Sequence, residues 1–380
     1  MRRDIGRLAG ADFQGRGVGC VGHERTVDWL AGRLGAMGMA PSRRPFEGPG
    51  LVRLAGPPQV AVLDQAGRAD RQLAYRRDFV EHVRSAPSPG RAGTVVPGTE
   101  VAATGNWIAA IEGPRDLARL VSEGLARGAA GVLLPRPLGP DGYFAKQPTS
   151  APWLDLPLIE MPAELIRGLH GRQIRVTISR ERVPSQGTNV VAALPGDDAL
   201  RPLLFTAHFD GVGDDPGVRL PGAGDNASGA ALVLELARVL ASSPRRGRRP
   251  VAFALLDAEE YGALGSLAHA QEVAAATPPL VVNLDMTARY REAAVIEVGP
   301  GSEELVDAID GAGRVLGTPL VSGNVASDNR RYAAVGVPAL GVATGAHGYH
   351  SPADTADRVE TAALRRAGDL ILETARRLAA

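Results

Sequence analysis

The chain has 380 residues, of which 44% are hydrophobic and 22% charged, as is typical of a folded globular protein. Its 42 basic residues balance its 42 acidic residues, whereas a protein that binds nucleic acid usually carries a basic excess. The basic cluster at 245–249 follows a predicted helix, and we interpret it as a solvated turn. We therefore expect no nucleic-acid partner.

Three features of the sequence bear on its compartment. Cys20 is the single cysteine, so an internal disulfide cannot form and an oxidising compartment is not required. Residues 1–6 lack the apolar core of a secretory signal, and no apolar run reaches the roughly 18 residues that a transmembrane helix needs. We expect a cytoplasmic protein with no membrane partner, or a secreted one if a signal peptide has been removed.

The length predicts two or three domains, and the predicted elements change in character along the chain. Residues 22–38 have apolar side chains at helical spacing, and Gly38 can end that helix. Residues 46–184 instead alternate short β-rich runs with Pro- and Gly-rich loops, around one predicted helix at 116–127. The strands predicted in this region are 59–63, 107–111, 131–134, 156–161 and 173–178.

After Gly187 the pattern becomes strand, loop and helix. The predicted strands are 189–194, 202–206, 251–256, 280–284 and 337–342, and the predicted helices are 226–240, 303–316 and 360–379. Two of these strands, 251–256 and 280–284, are continuous apolar runs, which is typical of strands buried on both faces. The alternation predicts an α/β fold in which a central mixed β-sheet is flanked by helices.

Side chains that can bind a metal occur where the predicted strands end. His208 and Asp210 follow the strand 202–206. Because side chains two apart on an extended segment share a face, Asp210 can accept the N–H of His208, which would fix the tautomer of a metal-binding histidine. Glu259 and Glu260 follow the strand 251–256, and adjacent carboxylates repel each other unless one binds a cation while the other accepts a proton.

Three further positions complete this series. Asp225 precedes the predicted helix 226–240, where it could also act as the N-cap. Asp285 ends the strand 280–284, and His350 follows the last predicted strand. Each residue alone has an ordinary structural explanation. Together, ligand types at successive strand ends and loops predict a metal site, because such folds place their sites at the ends of the sheet strands.

These segments resemble the zinc aminopeptidases of peptidase family M28. The resemblance covers residues 188–380, with a weaker echo at 12–16. The matching strings are His208-Phe209-Asp210, Gly224-Asp225-Asn226-Ala227-Ser228-Gly229, Glu259-Glu260, Asn283-Leu284-Asp285-Met286, Ser327-Asp328, Gly336-Val337-Pro338 and Tyr349-His350-Ser351-Pro352 with Asp354-Thr355 after one residue.

The resemblance implies a co-catalytic site for two zinc ions. Asp225 would bridge the two ions. His208 and Asp285 would complete one site, and Glu260 and His350 would complete the other. Mixed nitrogen and carboxylate ligands suit zinc, although Co²⁺ or Mn²⁺ could replace it.

The resemblance also implies three residues that serve the chemistry. Glu259 would be the general base, Asp210 would orient His208, and Tyr349 would steady the oxyanion of the substrate. Two zinc ions about 3.5–4 Å apart make hydroxide available near neutral pH and polarise the scissile carbonyl. The expected activity is hydrolysis of the N-terminal residue of a peptide, although a dipeptidase or a carboxypeptidase would fit the same strings.

Residues 46–184 resemble a protease-associated domain, a β-rich module often inserted in this family. This resemblance rests on 107–113, on the helix that follows, and on 128–134 and 156–159. We therefore expect an N-terminal part of the peptidase domain at 1–45, a β-rich insertion at 46–184 and the peptidase domain at 185–380. The insertion would cover or shape the substrate cleft. The oligomeric state is not predicted.

Other interpretations remain open. A glutaminyl cyclase has this fold with one zinc, whereas here every ligand of a second zinc is present. A binding protein with an inactive peptidase fold would usually lack a ligand or the base. A related metallopeptidase family inserts a dimerisation domain before the last ligand, for which the 64 residues between Asp285 and His350 leave no room. His347 is a weaker ligand candidate than His350, and we interpret His269 as an ordinary helix residue.

Overall fold

The computed structural model describes residues 1–98, 104–113, 116–197, 200–243 and 249–379. Residues 245–248 of the basic cluster thus lie outside the described residues. Within these ranges, no helix is both long enough and apolar enough to span a membrane. The described chain divides into two compact units, of which the first comprises Met1–Gly48, Ser185–Asp214 and Arg219–Ala380, and the second Pro49–Pro184 and Asp215–Val218.

The described residues form nine α-helices and sixteen strands. The helices are α1 (Arg2–Leu8), α2 (Val21–Gly35), α3 (Leu117–Ala126), α4 (Ala163–Gly168), α5 (Ser228–Ala241), α6 (Leu264–Ala274), α7 (Glu303–Leu316), α8 (Asn329–Ala334) and α9 (Thr361–Ala379). The strands are β1 (Ser42–Leu54), β2 (Gln59–Leu63), β3 (Ala69–Gln72), β4 (Val80–Glu81), β5 (Ser88–Pro97), β6 (Trp107–Ala109), β7 (Gly131–Pro135), β8 (Leu158–Met161), β9 (Gln173–Ile178), β10 (Arg180–Leu194), β11 (Leu203–His208), β12 (Val251–Leu256), β13 (Leu280–Thr287), β14 (Ala294–Val298), β15 (Leu320–Ser322) and β16 (Ala339–Gly345).

An eight-stranded sheet with the order β1-β10-β12-β11-β13-β16-β14-β15 forms the centre of the first unit. Its four middle strands, β12, β11, β13 and β16, are parallel, while β10 and β14 run antiparallel to their neighbours β12 and β16. This is the mixed sheet that the alternating pattern predicts. The strands β1 and β10 extend past residues 46 and 184, the boundaries predicted for the insertion.

Helices cover both faces of this sheet, because its middle strands are apolar on both sides. The larger core packs α1, α2, α5, α7 and α9 against one face and includes Phe205, Phe253 and Leu284. A smaller core on the other face joins Leu204 and Val281 to Tyr332 of α8. Helix α5 packs against β11, β12 and β13, so the start of this helix lies near the carboxyl ends of the parallel strands.

The second unit contains another eight-stranded sheet, with the order β3-β2-β9-β5-β6-β7-β8-β4. Strands β5 to β8 are parallel to one another, and the remaining pairs are antiparallel. The buried Trp107 and Phe79 belong to one of its cores, and a second core forms beneath α3 around Val121. The five strands predicted between residues 59 and 178 are all confirmed as members of this sheet.

Candidate metal centre

Four parallel strands bring the candidate ligands to one edge of the first sheet. His208 is the last residue of β11, and Asp285 lies near the end of β13, paired with Ala343 of β16. Glu260 follows β12, and His350 follows β16. Because the carboxyl ends of parallel strands meet at one edge of a sheet, residues distant in the sequence lie together here.

Asp225 reaches the same edge from the turn Ala223–Ala227, which precedes α5. The N–H groups of Gly224 and Asp225 donate to Oδ1 and Oδ2 of Asp354, at 2.6 and 2.9 Å. The first turn of α5 is fixed as well, since Ser228 Oγ donates to the carbonyl of Gly224 and accepts the N–H of Thr287. The position of Asp225 is thus set by hydrogen bonds of the main chain on both sides of it.

The two carboxylate oxygens of Asp225 face two different histidines. Oδ1 lies 3.4 Å from Nε2 of His208, which is also 3.4 Å from Oδ1 of Asp285. Oδ2 lies 3.2 Å from Nε2 of His350, which is 2.8 Å from Oε2 of Glu260. In each of the two groups, the ligand atoms all lie within 4.8 Å of one another. Asp225 therefore belongs to both groups.

The donor atoms of this site fit zinc. Nε2 of His208, Oδ1 of Asp285 and Oε1 of Glu260 are buried, and none has a hydrogen-bond partner among the described residues. A buried polar atom without a partner is costly, and cations bound by the two groups would satisfy all three atoms. Imidazole nitrogen and carboxylate oxygen are also the atoms that zinc prefers.

Histidines and carboxylates shift each other's pKa values in the site. Burial alone would lower the pKa of His208, but Asp285 and the other carboxylates raise it well above its ordinary value. The pKa of His350 is likewise raised, by Glu260 and Asp225 against burial. Burial would raise the pKa of Asp225, yet its contacts with the two histidines lower it. Metal ions would take the place of the histidine protons, because only neutral imidazole binds metal.

Asp210 connects His208 to the Glu259–Glu260 turn. Its Oδ1 lies 3.4 Å from Nδ1 of His208 and accepts the N–H of Glu259 at 3.1 Å, and its Oδ2 accepts the N–H of Glu260 at 3.3 Å. Burial, with Asp328, Asp285 and Glu260 nearby, raises the pKa of Glu259 well above its ordinary value. A carboxylate with a raised pKa has a high affinity for a proton, which suits proton transfer near neutral pH.

Tyr349 stacks on the ring of His350, with ring centroids 3.7 Å apart and planes 16° apart. Its side chain remains 52% exposed, so it can reach a bound molecule. Partial burial, together with the neighbouring Asp225, Glu260 and Glu259, raises the pKa of the Tyr349 hydroxyl. The hydroxyl therefore stays protonated and can donate a hydrogen bond.

The other two histidine candidates belong to neither ligand group in the described residues. Nε2 of His347 contacts Oε1 of Glu360 at 3.1 Å, outside the site. Nδ1 of His269 is 2.7 Å from the hydroxyl of Tyr332, between α6 and α8. These contacts account for both residues without a metal.

The sequence analysis assigned no role to several buried residues that adjoin the site. Asp354 and Asp328 lie in matching strings, but their functions are not evident from the sequence. Asp354 holds the Asp225 turn, and burial raises the pKa of Asp328 to about 7, with Asp210 and Asp285 nearby. The third residue, Arg16, ends the weak echo at 12–16 and contacts the main chain around Asp225.

Comparison with known proteins gives one family match. Residues 189–375 match the family model described as peptidase family M28. The matched region contains all five candidate ligands together with Glu259, Asp210 and Tyr349.

Curated relatives resemble about half of the chain. Endoplasmic reticulum metallopeptidase 1 of Mus musculus is 33% identical over 205 residues, which are 50% of this chain and 22% of the mouse protein. Aminopeptidase YwaD of Bacillus subtilis is 30% identical over 193 residues, which are 44% of this chain and 39% of that protein. The chain thus spans about a fifth to two fifths of the length of these relatives.

A solved structure shares the fold over nearly the whole chain. The zinc aminopeptidase BSAP from Bacillus subtilis superimposes with a TM-score of 0.73, at 19% identity, over 98% of this chain and 93% of its own. The expected α/β architecture is therefore confirmed, with helices flanking mixed sheets.

Proposed function

The chain belongs to peptidase family M28 through residues 189–375, and we propose that it is an aminopeptidase that holds two zinc ions. The observation that carries the proposal is the position of Asp225, whose two oxygens face the two histidines of separate ligand groups. A shared carboxylate favours two ions, because one ion would leave the buried atoms of the other group unsatisfied. The relatives named as aminopeptidases support cleavage at the N-terminus.

We assign the ligands by their groups. His208, Asp225 and Asp285 would hold one ion, and Asp225, Glu260 and His350 the other. When bound, zinc lowers the pKa of water and polarises a carbonyl group.

The remaining groups move or hold protons. Glu259 accepts a proton from the attacking water and then gives it to the leaving amine. Tyr349 donates a hydrogen bond from its hydroxyl to the substrate oxygen on which negative charge develops. The raised pKa of Tyr349 keeps the hydroxyl protonated. Asp210 contacts both His208 and the Glu259–Glu260 turn, and so it fixes their positions relative to each other.

We also propose that residues 46–184 form a protease-associated domain. The parallel strands β5 to β8, with α3 between β6 and β7, support this assignment. We propose further that this domain influences which peptides the enzyme prefers.

The first test measures metal content and substrate preference. We expect about two zinc equivalents per chain, lost to a chelator together with activity. Peptides and aminoacyl substrates with a free amine should be hydrolysed, and N-acetylated forms should not. A single tightly bound ion with cyclisation of N-terminal glutamine would instead identify a cyclase, and cleavage of only dipeptides or only C-terminal residues would identify a different exopeptidase.

The second test separates the two glutamates. Glu259→Gln should keep both ions and lose about 10²–10⁴-fold in kcat, since a general base supplies that factor. Glu260→Gln should instead lose one ion. Glu292→Gln is the matched control, because Glu292 is exposed. If Glu259→Gln retains nearly full activity, Glu259 is not the general base.

A further inference from the structure

We propose that Arg16 is a positioning residue for the metal centre, where its guanidinium fixes the main chain that carries Asp225. Arg16 lies outside the matched family region of 189–375. The identity of the metal rests on the proposed function, whereas the contacts of Arg16 do not.

All five N–H groups of the Arg16 side chain point at main-chain carbonyls. Arg16 is 0% exposed, which is rare for an arginine. The Nε hydrogen goes to the carbonyl of Phe209 at 2.6 Å. The remaining bonds run from Nη1 to Leu8 and Pro221, at 2.9 and 2.7 Å, and from Nη2 to Gly222 and Asp225, at 2.7 and 3.4 Å. Because a guanidinium has five donors in a fixed plane, this side chain is fully used.

These carbonyls flank the candidate ligands. Phe209 directly follows His208. Asp225 lies in the turn that presents the shared carboxylate, and Pro221 and Gly222 directly precede that turn. Arg16 thus joins the end of β11 to the start of α5. A shift of either segment would change the distance between the two ligand groups.

Asp354 complements Arg16 on the same turn. Arg16 binds carbonyl oxygens of 221–225, and Asp354 accepts the N–H groups of Gly224 and Asp225. The turn has little room to move, since a Cβ on Gly222 would lie 2.7 Å from Nη2 of Arg16. A charged side chain of each sign therefore fixes one set of main-chain atoms.

The N-terminal segment is bent to deliver Arg16 to this place. Gln14, Gly15 and Arg16 all have left-handed φ angles, of 50°, 63° and 56°. Their carbonyls accept the N–H groups of Gly211, Gly213 and Asp214, at 3.0 to 3.5 Å. For the two non-glycine residues, Gln14 and Arg16, this conformation costs about 1–3 kcal/mol each, and their neighbours must compensate for that strain.

The charge of Arg16 also suits its position. Burial lowers the pKa of Arg16, while Asp354, Asp210, Asp225 and Glu260 oppose that effect. A guanidinium remains charged even when buried, so it places a fixed positive charge among these carboxylates. Lysine would keep the charge but has three donors on a single atom, and it could not reach five carbonyls.

The first experiment titrates Zn²⁺ and Co²⁺ into metal-free wild type, Arg16→Lys and a control. Because both ligand groups share Asp225, Arg16→Lys should lower the affinity for both ions together. The expected loss is about 10–100-fold, the range found when groups that support metal ligands are altered. The visible spectrum of the Co²⁺ form should change as well. Arg33→Lys is the control, since Arg33 pairs with Asp4 in the same N-terminal segment at 3.1 Å. It should lower Tm without changing either affinity.

The outcomes separate this inference from the proposed function. A folded Arg16→Lys protein with wild-type affinity for both ions and a wild-type Co²⁺ spectrum would overturn the role of Arg16. Wild type that binds two ions but hydrolyses no peptide would overturn the aminopeptidase assignment and leave the role of Arg16 standing.

A second measurement needs no variant and decides the question if Arg16→Lys does not fold. Hydrogen exchange of metal-free wild type should show the amides of Gly224 and Asp225 already protected, because Arg16 and Asp354 hold the turn before metal binds. Protection that appears only after zinc is added would mean that the metal orders the turn, and the proposal would fail.

Discussion

One candidate ligand and two residues close to other ligands have left-handed backbone angles, which non-glycine residues rarely adopt. They are Ala258, Met286 and His350, with φ of 56°, 48° and 53°. The N–H of Met286 is held by Oδ1 of Asn226, and the N–H of Ala258 by Oδ1 of Asp257. Such conformations persist only where the surroundings enforce them, and they concentrate at functional sites. The edge of the sheet that carries the candidate ligands thus also holds three of the non-glycine residues with left-handed angles.

His269 should make stability depend on pH. Burial lowers the pKa of His269 to about 4, from an ordinary value near 6.5. His269 therefore binds a proton more readily in the unfolded chain than in the folded one. The stability that neutral, buried His269 contributes is fully present above pH 6.5 and is lost as pH falls towards 4. The loss is at most about 3 kcal/mol. Urea unfolding of wild type and His269→Gln between pH 4 and 7 measures it, and the difference between the two should shrink with acid.

Tyr332→Phe is the control for this prediction, because it removes the bond to His269 and keeps the titrating ring. It should lower stability at every pH while the dependence on pH remains. An equally steep acid loss in His269→Gln and wild type would contradict the assignment to His269.

At this scale the sequence shows the candidate ligands more clearly than the residues that hold them in place. His208, Asp225, Glu260, Asp285 and His350 each lie in a recognisable string, and the structure brings them together. Arg16 lies in the weak echo at 12–16, but the sequence does not reveal its role, because the main-chain carbonyls that a guanidinium binds can belong to any residue type. The same holds for His23, whose partner Asp257 is 234 residues away.

Helix α2 and strand β12 are connected by that buried pair. Nε2 of His23 lies 2.8 Å from Oδ2 of Asp257, which also accepts the N–H of Thr188 at 2.6 Å. His23 stacks on Phe209, with ring centroids 5.8 Å apart. Burial alone would lower the pKa of His23, but Asp257 raises it. The helix thus fixes the start of the turn that carries Glu259.

His23→Ala should destabilise the protein by about 3–5 kcal/mol, because Asp257 would remain buried without its partner. Adding Asp257→Asn to this variant should restore part of the loss, since the amide carries no charge. Denaturant unfolding of the single and double variants tests this. Arg25→Ala, an exposed neighbour on the same helix, serves as the control and should stay within about 0.5 kcal/mol of wild type. A loss in His23→Ala no larger than in the control would refute the prediction.

Elements with a strong local pattern are predicted well, and those defined by their neighbours are not. The predicted bounds 251–256 and 303–316 match β12 and α7, whose apolar residues follow a clear period. The sequence analysis missed β1, which contains Pro45 and Pro49 and is largely exposed, and the edge strand β15 of three residues. Such strands are defined by the strands they pair with, and a local pattern does not show these partners.

At the scale of the whole molecule, the second unit includes one short piece from outside residues 49–184. Asp215 is buried there and accepts from Nε of Arg76 at 2.6 Å, from the hydroxyl of Tyr75 at 3.1 Å and from Nζ of Lys146 at 2.9 Å. The alternation of short β-rich runs with Pro- and Gly-rich loops indicates where the β-rich region begins and ends. It gives no sign of Asp215, because a single aspartate in a later loop is an ordinary feature.

We predict that a fragment of residues 46–184 folds alone. We also predict that Arg76→Met stabilises this fragment but destabilises the second unit of the full chain. The fragment contains both apolar cores of the second unit, as an inserted domain should. It lacks Asp215, however, so that Arg76, which is buried in the full chain, would lose the carboxylate with which it forms an ion pair. Removing one partner of a buried pair typically costs about 3–5 kcal/mol. Arg76→Met should therefore stabilise the fragment and destabilise the second unit of the full chain, where Asp215 would lose a partner.

Denaturant unfolding of the fragment, and hydrogen exchange of strands β5 to β8 in the full chain, measure the two effects. Arg77→Met, at an exposed neighbouring position, is the control and should change neither by much. A fragment that does not fold with either residue would refute an independent domain at 46–184, and an effect of the same sign in both proteins would refute the role assigned to Asp215.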